Sequence, residues 1–79
     1  MATAQGIEWE DVIKKEARGL NDGDLGEVQS VEQDVIVTMA GITDKITYRL
    51  PKNLAERYDG HNVWFKITKE EAKAHYGID

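Results

Sequence analysis

The sequence predicts a mainly all-β fold: a small, strongly bent barrel followed by one short C-terminal helix. Three observations carry this expectation. Short runs of Val, Ile, Thr and aromatic residues recur along the chain, divided by Gly, Asp and Asn clusters, and a division about every eight to twelve residues is the rhythm of sandwiches and small barrels. The chain has 79 residues, room for one domain but not for a second independently stable core. It has no cysteine, so disulfides cannot brace it, and stability is left to tight packing or self-association.

Residues 1–8 read as a flexible arm, because Met1–Gly6 is small and polar with nothing to bury. The domain proper spans 9–68, and residues 69–79 form a helix and tail. A first strand is expected over Asp11–Arg18, ending at Gly19. Asn21-Asp22-Gly23-Asp24 then supplies turn residues that tolerate positive φ. The second strand is expected over Gly26–Glu32, with Gly26 marking a tight bend or a close backbone approach. Glu32-Gln33-Asp34 is a tight connection into Val35-Ile36-Val37-Thr38-Met39, whose unbroken apolar and β-branched character predicts a strand covered on both faces at the centre of the core. Ala40–Asp44 is a loop.

Lys45–Leu50 alternates, placing Ile46, Tyr48 and Leu50 on one face and Thr47 with Arg49 on the other. Pro51 ends that strand, Asn53–Tyr58 is expected to make a helical or 3₁₀ turn, and Asp59-Gly60 reverses the chain. The last expected strand is His61–Ile67. Thr68-Lys69-Glu70-Glu71 matches a capping box, which predicts a helix over Lys69–Tyr76 with Gly77 at its end.

The net charge is −5, the wrong sign for general binding to phosphate backbones. It is unevenly spread: residues 1–34 hold nine acids and three bases, residues 35–79 six acids and seven bases. A local basic face of Lys45, Arg49, Lys52, Arg57 and Lys66 therefore stays open as an RNA-contacting alternative. No apolar run reaches the length of a membrane span, and the first residues lack a secretory signal. A cytoplasmic protein without membrane insertion is expected.

Residues that could carry chemistry fall short of a known pattern. A zinc site would need His61 and His75 plus Asp59 or Glu71, at spacings that match no ligand motif. Ser30 is the sole serine and lacks a strand-to-helix elbow. The pairs Glu8/Glu10 and Glu70/Glu71 are unremarkable in a chain with fifteen acids, and a small barrel offers little cleft for glycoside chemistry. A calcium loop starting at Asp22 would put Gln33 where a bidentate Glu belongs. Gly19, Gly23 and Gly26 lack the strand-loop-helix setting of a phosphate loop and read as bends. Neither an enzyme nor a cofactor is expected.

The aromatic residues say more. Trp64 and Phe65 are neighbours in one strand and must point to opposite faces. Val63, Phe65 and Ile67 define the inner face, which leaves Trp64 and Lys66 outside, either covered by Trp9 or the terminal helix or kept for a partner. Trp64, Lys66, Arg49 and Trp9 are the candidate protein interface. Asp22, Gly23, Gly26, Pro51, Asp59 and Gly60 are the structural turns.

The stretch Asp11-Val12-Ile13-Lys14-Lys15-Glu16-Ala17, continued by Asp22, Gly23, Leu25, Gly26, Val28 and Val31, resembles the opening hairpin of the PRC-barrel family. That family is named for the reaction-centre H subunit and shares its barrel with the ribosome-maturation factor RimM. Tyr48-Arg49-Leu50-Pro51 and Asp59-Gly60-His61-Asn62-Val63 resemble its later part. The chain departs from the pattern at Lys14, where the family often has Gly, and at Ala17, where a larger aliphatic is usual. The resemblance implies a highly bent PRC-type, SH3-like barrel of about five or six strands, no shared catalytic residues, and an adaptor or assembly role. The expected function is a non-catalytic interaction module that forms a homodimer and binds a further protein. The alternative is a ribosome- or RNA-associated adaptor using the basic second half.

Overall fold

The apolar runs between the turn clusters become strands of a single sheet. The computed structural model describes residues 7–41, 43 and 45–78. Its strands are β1 (Glu16–Arg18), β2 (Asp24–Val31), β3 (Val35–Ala40), β4 (Ile46–Pro51), β5 (Ala55–Tyr58), β6 (Asn62–Phe65) and β7 (Gly77–Ile78), with one α-helix, α1 (Lys69–His75), before β7. The sheet order is β5-β6-β1-β2-β3-β4-β7. Neighbours are antiparallel except β1 and β6, which run parallel.

Since β5 and β7 stand at opposite edges, the hydrogen-bonded sheet is not closed. The expected closed barrel of five to six strands is thus corrected to an open sheet of seven. Closure requires edge strands of matched length and stagger, and here four residues of β5 would have to meet two of β7. The sheet bends instead, wrapping one face around a core that includes Val12, Leu25, Val28, Ile36, Tyr48, Leu50, Val63 and Phe65.

β2 is irregular at Leu25 and Gly26. Gly26 has φ of 93°, the left-handed region that side chains resist. Leu25 lies in the register shift of the β1–β2 ladder, so its carbonyl takes a side-chain partner, the buried Thr38 hydroxyl donating at 2.6 Å. The Gly26 amide donates to Asp24 Oδ1 at 2.9 Å. Two side chains thereby hold this irregular stretch.

Four local expectations are corrected. The first strand is shorter than Asp11–Arg18: Trp9–Val12 is a 3₁₀ turn, and Lys14 sits at φ 72°. Lys14 and Lys15 both bond to Val28, two residues against one, the arrangement of a β-bulge. β3 is fully buried on one face only, through Ile36 and Thr38, while on the other Val35 and Val37 are half-buried and Met39 is 37% exposed, and β2 holds the middle of the sheet. The 3₁₀ turn expected within Asn53–Tyr58 is present but confined to Lys52–Leu54, and Ala55–Tyr58 is a strand, although Ala and Glu favour helix, because Ala55 fills a buried position opposite Phe65. The segment after Tyr76 pairs as β7 with Thr47 and Tyr48.

The N-terminal arm expected over 1–8 falls outside the described residues up to Gly6, and Ile7 packs against the core. Ile42 and Asp44 of the Ala40–Asp44 loop, and Asp79 of the tail, also lie outside the described residues.

The capping box of α1 is complete. The Glu71 amide donates to Thr68 Oγ1 and the Thr68 amide to Glu71 Oε1, both at 3.0 Å. Only Ala72 of this helix is buried, so the cap supplies much of what holds it. Thr68→Ala is expected to cost about 1 kcal/mol, with amide exchange accelerating over Lys69–His75 while β2 and β3 stay protected. Equal acceleration in the strands would make the helix part of the core's cooperative unit.

Candidate functional site

Trp9 opens the Trp9–Val12 turn, and two contacts fix that turn in place. Val12 is fully buried, and the Tyr58 hydroxyl donates to Asp11 Oδ2 at 2.5 Å. This hydrogen bond, with desolvation and the negative charges of Asp11 and Asp59, pushes the Tyr58 phenol up to about 12. The link therefore survives at any neutral pH. So anchored, Trp9 packs partly against the core and borders a groove of about 420 Å³.

The other wall of the groove is the paired end of β3 and β4, where Val35 faces Pro51. Asp34 and Lys52 flank that pair, and the Lys52 amide donates to the Asp34 carbonyl at 2.8 Å. Lys52 Nζ lies 5.1 Å from the Trp9 ring centroid, within cation–π reach. The result is an apolar floor of indole, Val and Pro with one carboxylate and one ammonium on its rim.

Trp64 is on the outer face, as strand parity requires, with Val63 and Phe65 buried behind it. Its own hairpin supplies two partners for the ring. Trp64 Nε1 donates to Asp59 Oδ2 at 3.1 Å, and the Arg57 guanidinium stacks 4.8 Å from the ring centroid. Asp59 Oδ1 accepts from the His61 and Asn62 amides at 2.9 and 2.7 Å. These hydrogen bonds, those from the Asn62 and His61 amides foremost, hold the Asp59 carboxyl down at about 2.

That shift has a definite sign. A carboxylate whose folded value lies below its ordinary 3.8 stabilises the fold fully above that pH and loses its contribution as pH falls towards about 2. The Trp64 indole N–H resonance should therefore titrate with a midpoint near 2, following Asp59. In Asp59→Asn this acid-limb transition should disappear. A midpoint near the ordinary carboxylate value would show that the turn leaves Asp59 unperturbed.

The four candidate interface residues do not share one patch. Trp64 belongs to β6 and Lys66 follows it directly, whereas Arg49 belongs to β4, separated from β6 by β1, β2 and β3. Arg49 Nη2 pairs with Glu32 Oε1 at 2.9 Å, beside the Trp9 groove in sequence and away from Trp64. The five bases of the supposed basic face are divided too: Arg49 is paired with Glu32, Arg57 lies 3.8 Å from Asp59 Oδ2, and Lys52 is drawn to Trp9.

The turn residues behave as their types suggest. Asn21 and Asp22 are left-handed, both at φ 60°, and Gly60 is at 97°. His61 sits in the Asp59 turn, and His75 ends α1 with its ring 6.2 Å from that of Tyr76. Among the described residues, no group of three His, Asp or Glu side chains is arranged to hold a metal ion, and no helix is long and apolar enough to cross a membrane.

Sequence reasoning missed Val35, Asp34 and Pro51 as partners of Trp9, because their meeting depends on long-range register. Lys69 and Lys73 were equally hidden, although their four-residue spacing on a short helix puts them on one face. The chain matches no known family model, no curated protein and no solved structure.

Proposed function

We propose that this chain is a non-catalytic protein-interaction and assembly module that forms a homodimer through the face around Trp9. The observation that carries this reading is the groove itself: a half-buried Trp against Val35 and Pro51, with Asp34 and Lys52 on its rim. A two-fold interface places each patch against its own copy, so Asp34 of one protomer can meet Lys52 of the other. Aromatic anchors with a polar rim are the residues that dominate such contacts.

The sheet edges are poorer candidates. β5 exposes Glu56 and Arg57 and carries a register shift, and β7 has two residues, all devices that discourage edge pairing. The resemblance to the PRC-barrel family, whose members act as adaptors, supports the same reading and extends it to a further protein partner.

Sedimentation equilibrium at micromolar concentration tests the proposal. The wild type should dimerise, and Trp9→Ala should weaken association by at least about 2 kcal/mol. Because Trp9 also touches the core, Lys52→Glu provides the control: it should weaken the dimer while leaving the melting temperature of the monomer unchanged. A strictly monomeric wild type refutes the proposal.

A further inference from the structure

A second concavity, of about 370 Å³, lies between the start of β4 and α1 and has a different chemistry. Lys45, Lys69 and Lys73 line it together with Ala40, Ile46 and Tyr48. In a chain of net charge −5, three exposed lysines line this one hollow, and none is among the ion pairs of the described residues. Like charges gathered around one hollow repel one another unless an anion joins them.

Tyr48 supplies the second, independent observation. The residue is fully buried, and its Oη has no hydrogen-bond partner among the described residues. A buried donor without an acceptor is costly and rare. Burial, followed by the nearby Asp24 carboxylate, raises its pKa above the ordinary 10.0, so the phenol keeps its proton and can only gain by donating it. Asp24 itself is occupied, with Oδ1 accepting from the Gly26 amide.

We propose that this hollow binds a small phosphorylated molecule, its phosphate oxygens held by Lys45, Lys69 and Lys73 and by the Tyr48 hydroxyl. Ammonium groups are point-charge binders of phosphate. The volume lies near the lower end for ligand pockets, and the negative protein around it opposes a long polyanion. Ala40 and Ile46 offer an apolar wall for the remainder of the ligand. The site is separate from the Trp9 face and does not depend on it.

The test is a titration of the full chain with inorganic pyrophosphate, followed by amide NMR at constant ionic strength set with sodium chloride. Saturable shifts should centre on Ala40, Gly41, Lys45, Ile46, Lys69 and Lys73. The double variant Lys69→Gln/Lys73→Gln should weaken binding more than about tenfold and Tyr48→Phe about tenfold, the loss expected of a hydrogen bond to a charged group. Lys66→Gln, on the far side of the sheet order, should bind as the wild type does. Without ligand, Tyr48→Phe should melt at the same temperature as the wild type or higher, since it deletes an unpaired group.

Absence of saturable shifts at millimolar pyrophosphate overturns the site, as does equal binding by the lysine double variant. Unchanged affinity in Tyr48→Phe, or a lowered melting temperature, removes the tyrosine from it. Binding of an RNA oligonucleotide without binding of pyrophosphate replaces the small ligand by a nucleic acid and refutes the proposal as made.

Discussion

Gly26→Val is expected to destabilise the protein by about 3–5 kcal/mol, from left-handed backbone strain and overpacking acting together. A Cβ at this position would lie 2.5 Å from both the carbonyl carbon and oxygen of Met39 and 2.8 Å from the Ala40 amide nitrogen. These are backbone atoms of the adjacent strand and cannot swing aside. The φ of 93° adds strain of its own. Small domains have only about 0.05–0.15 kcal/mol of stability per residue, so the variant forfeits a large share of the total. Because the collision is with the first side-chain atom, Gly26→Ala should be nearly as damaging as Gly26→Val. Urea denaturation decides: a normal midpoint for the alanine variant would mean that β2 and β3 can separate at this point without loss.

Gly19→Ala should cost about 2–3 kcal/mol for a purely steric reason. Gly19 has a φ of −107°, an ordinary value, so backbone strain plays no part. Its Cβ would overlap the Ile67 carbonyl oxygen. That oxygen accepts the Leu20 amide at 2.7 Å, a bond that ties the end of β1 to the segment leading into α1. The Leu20 amide should therefore exchange much faster in the variant. Gly60 provides the contrast, with φ of 97° and nothing within 4 Å of an added Cβ. Gly60→Ala should show strain alone, about 1–2 kcal/mol. If Gly60→Ala were the more harmful, backbone conformation would outweigh contact throughout this fold.

The meander of β2, β3 and β4 was legible because its apolar alternation and turn residues are local signals. The inner face of β6 was legible for the same reason, with Val63 and Phe65 buried, as is Ile67 just beyond the strand. β5 and β7 were not, since Ala55, Glu56 and Gly77 disfavour strands, each segment is too short to show alternation, and both extend because β6 and β4 offer them partners. That is tertiary context overriding local preference. The first strand was overextended because nothing local in Val12-Ile13-Lys14 announces that Lys14 turns left-handed.

The candidate site was legible in part. Trp9 and Trp64 stood out by size and placement, but their neighbours come from remote segments, Lys52 for one and Arg57 with Asp59 for the other. Tyr48 read simply as a core residue of β4. Its unpaired hydroxyl is a property of what surrounds it, which no local pattern encodes.

The most direct measurement of the central claim is a dilution series followed by amide and indole NMR. A homodimer through the Trp9 face predicts concentration-dependent shifts at the Trp9 indole, Asp34, Val35 and Lys52, with the Trp64 indole, already bonded to Asp59, unmoved. Shifts centred on Trp64 and Lys66, or none at any concentration, would contradict it.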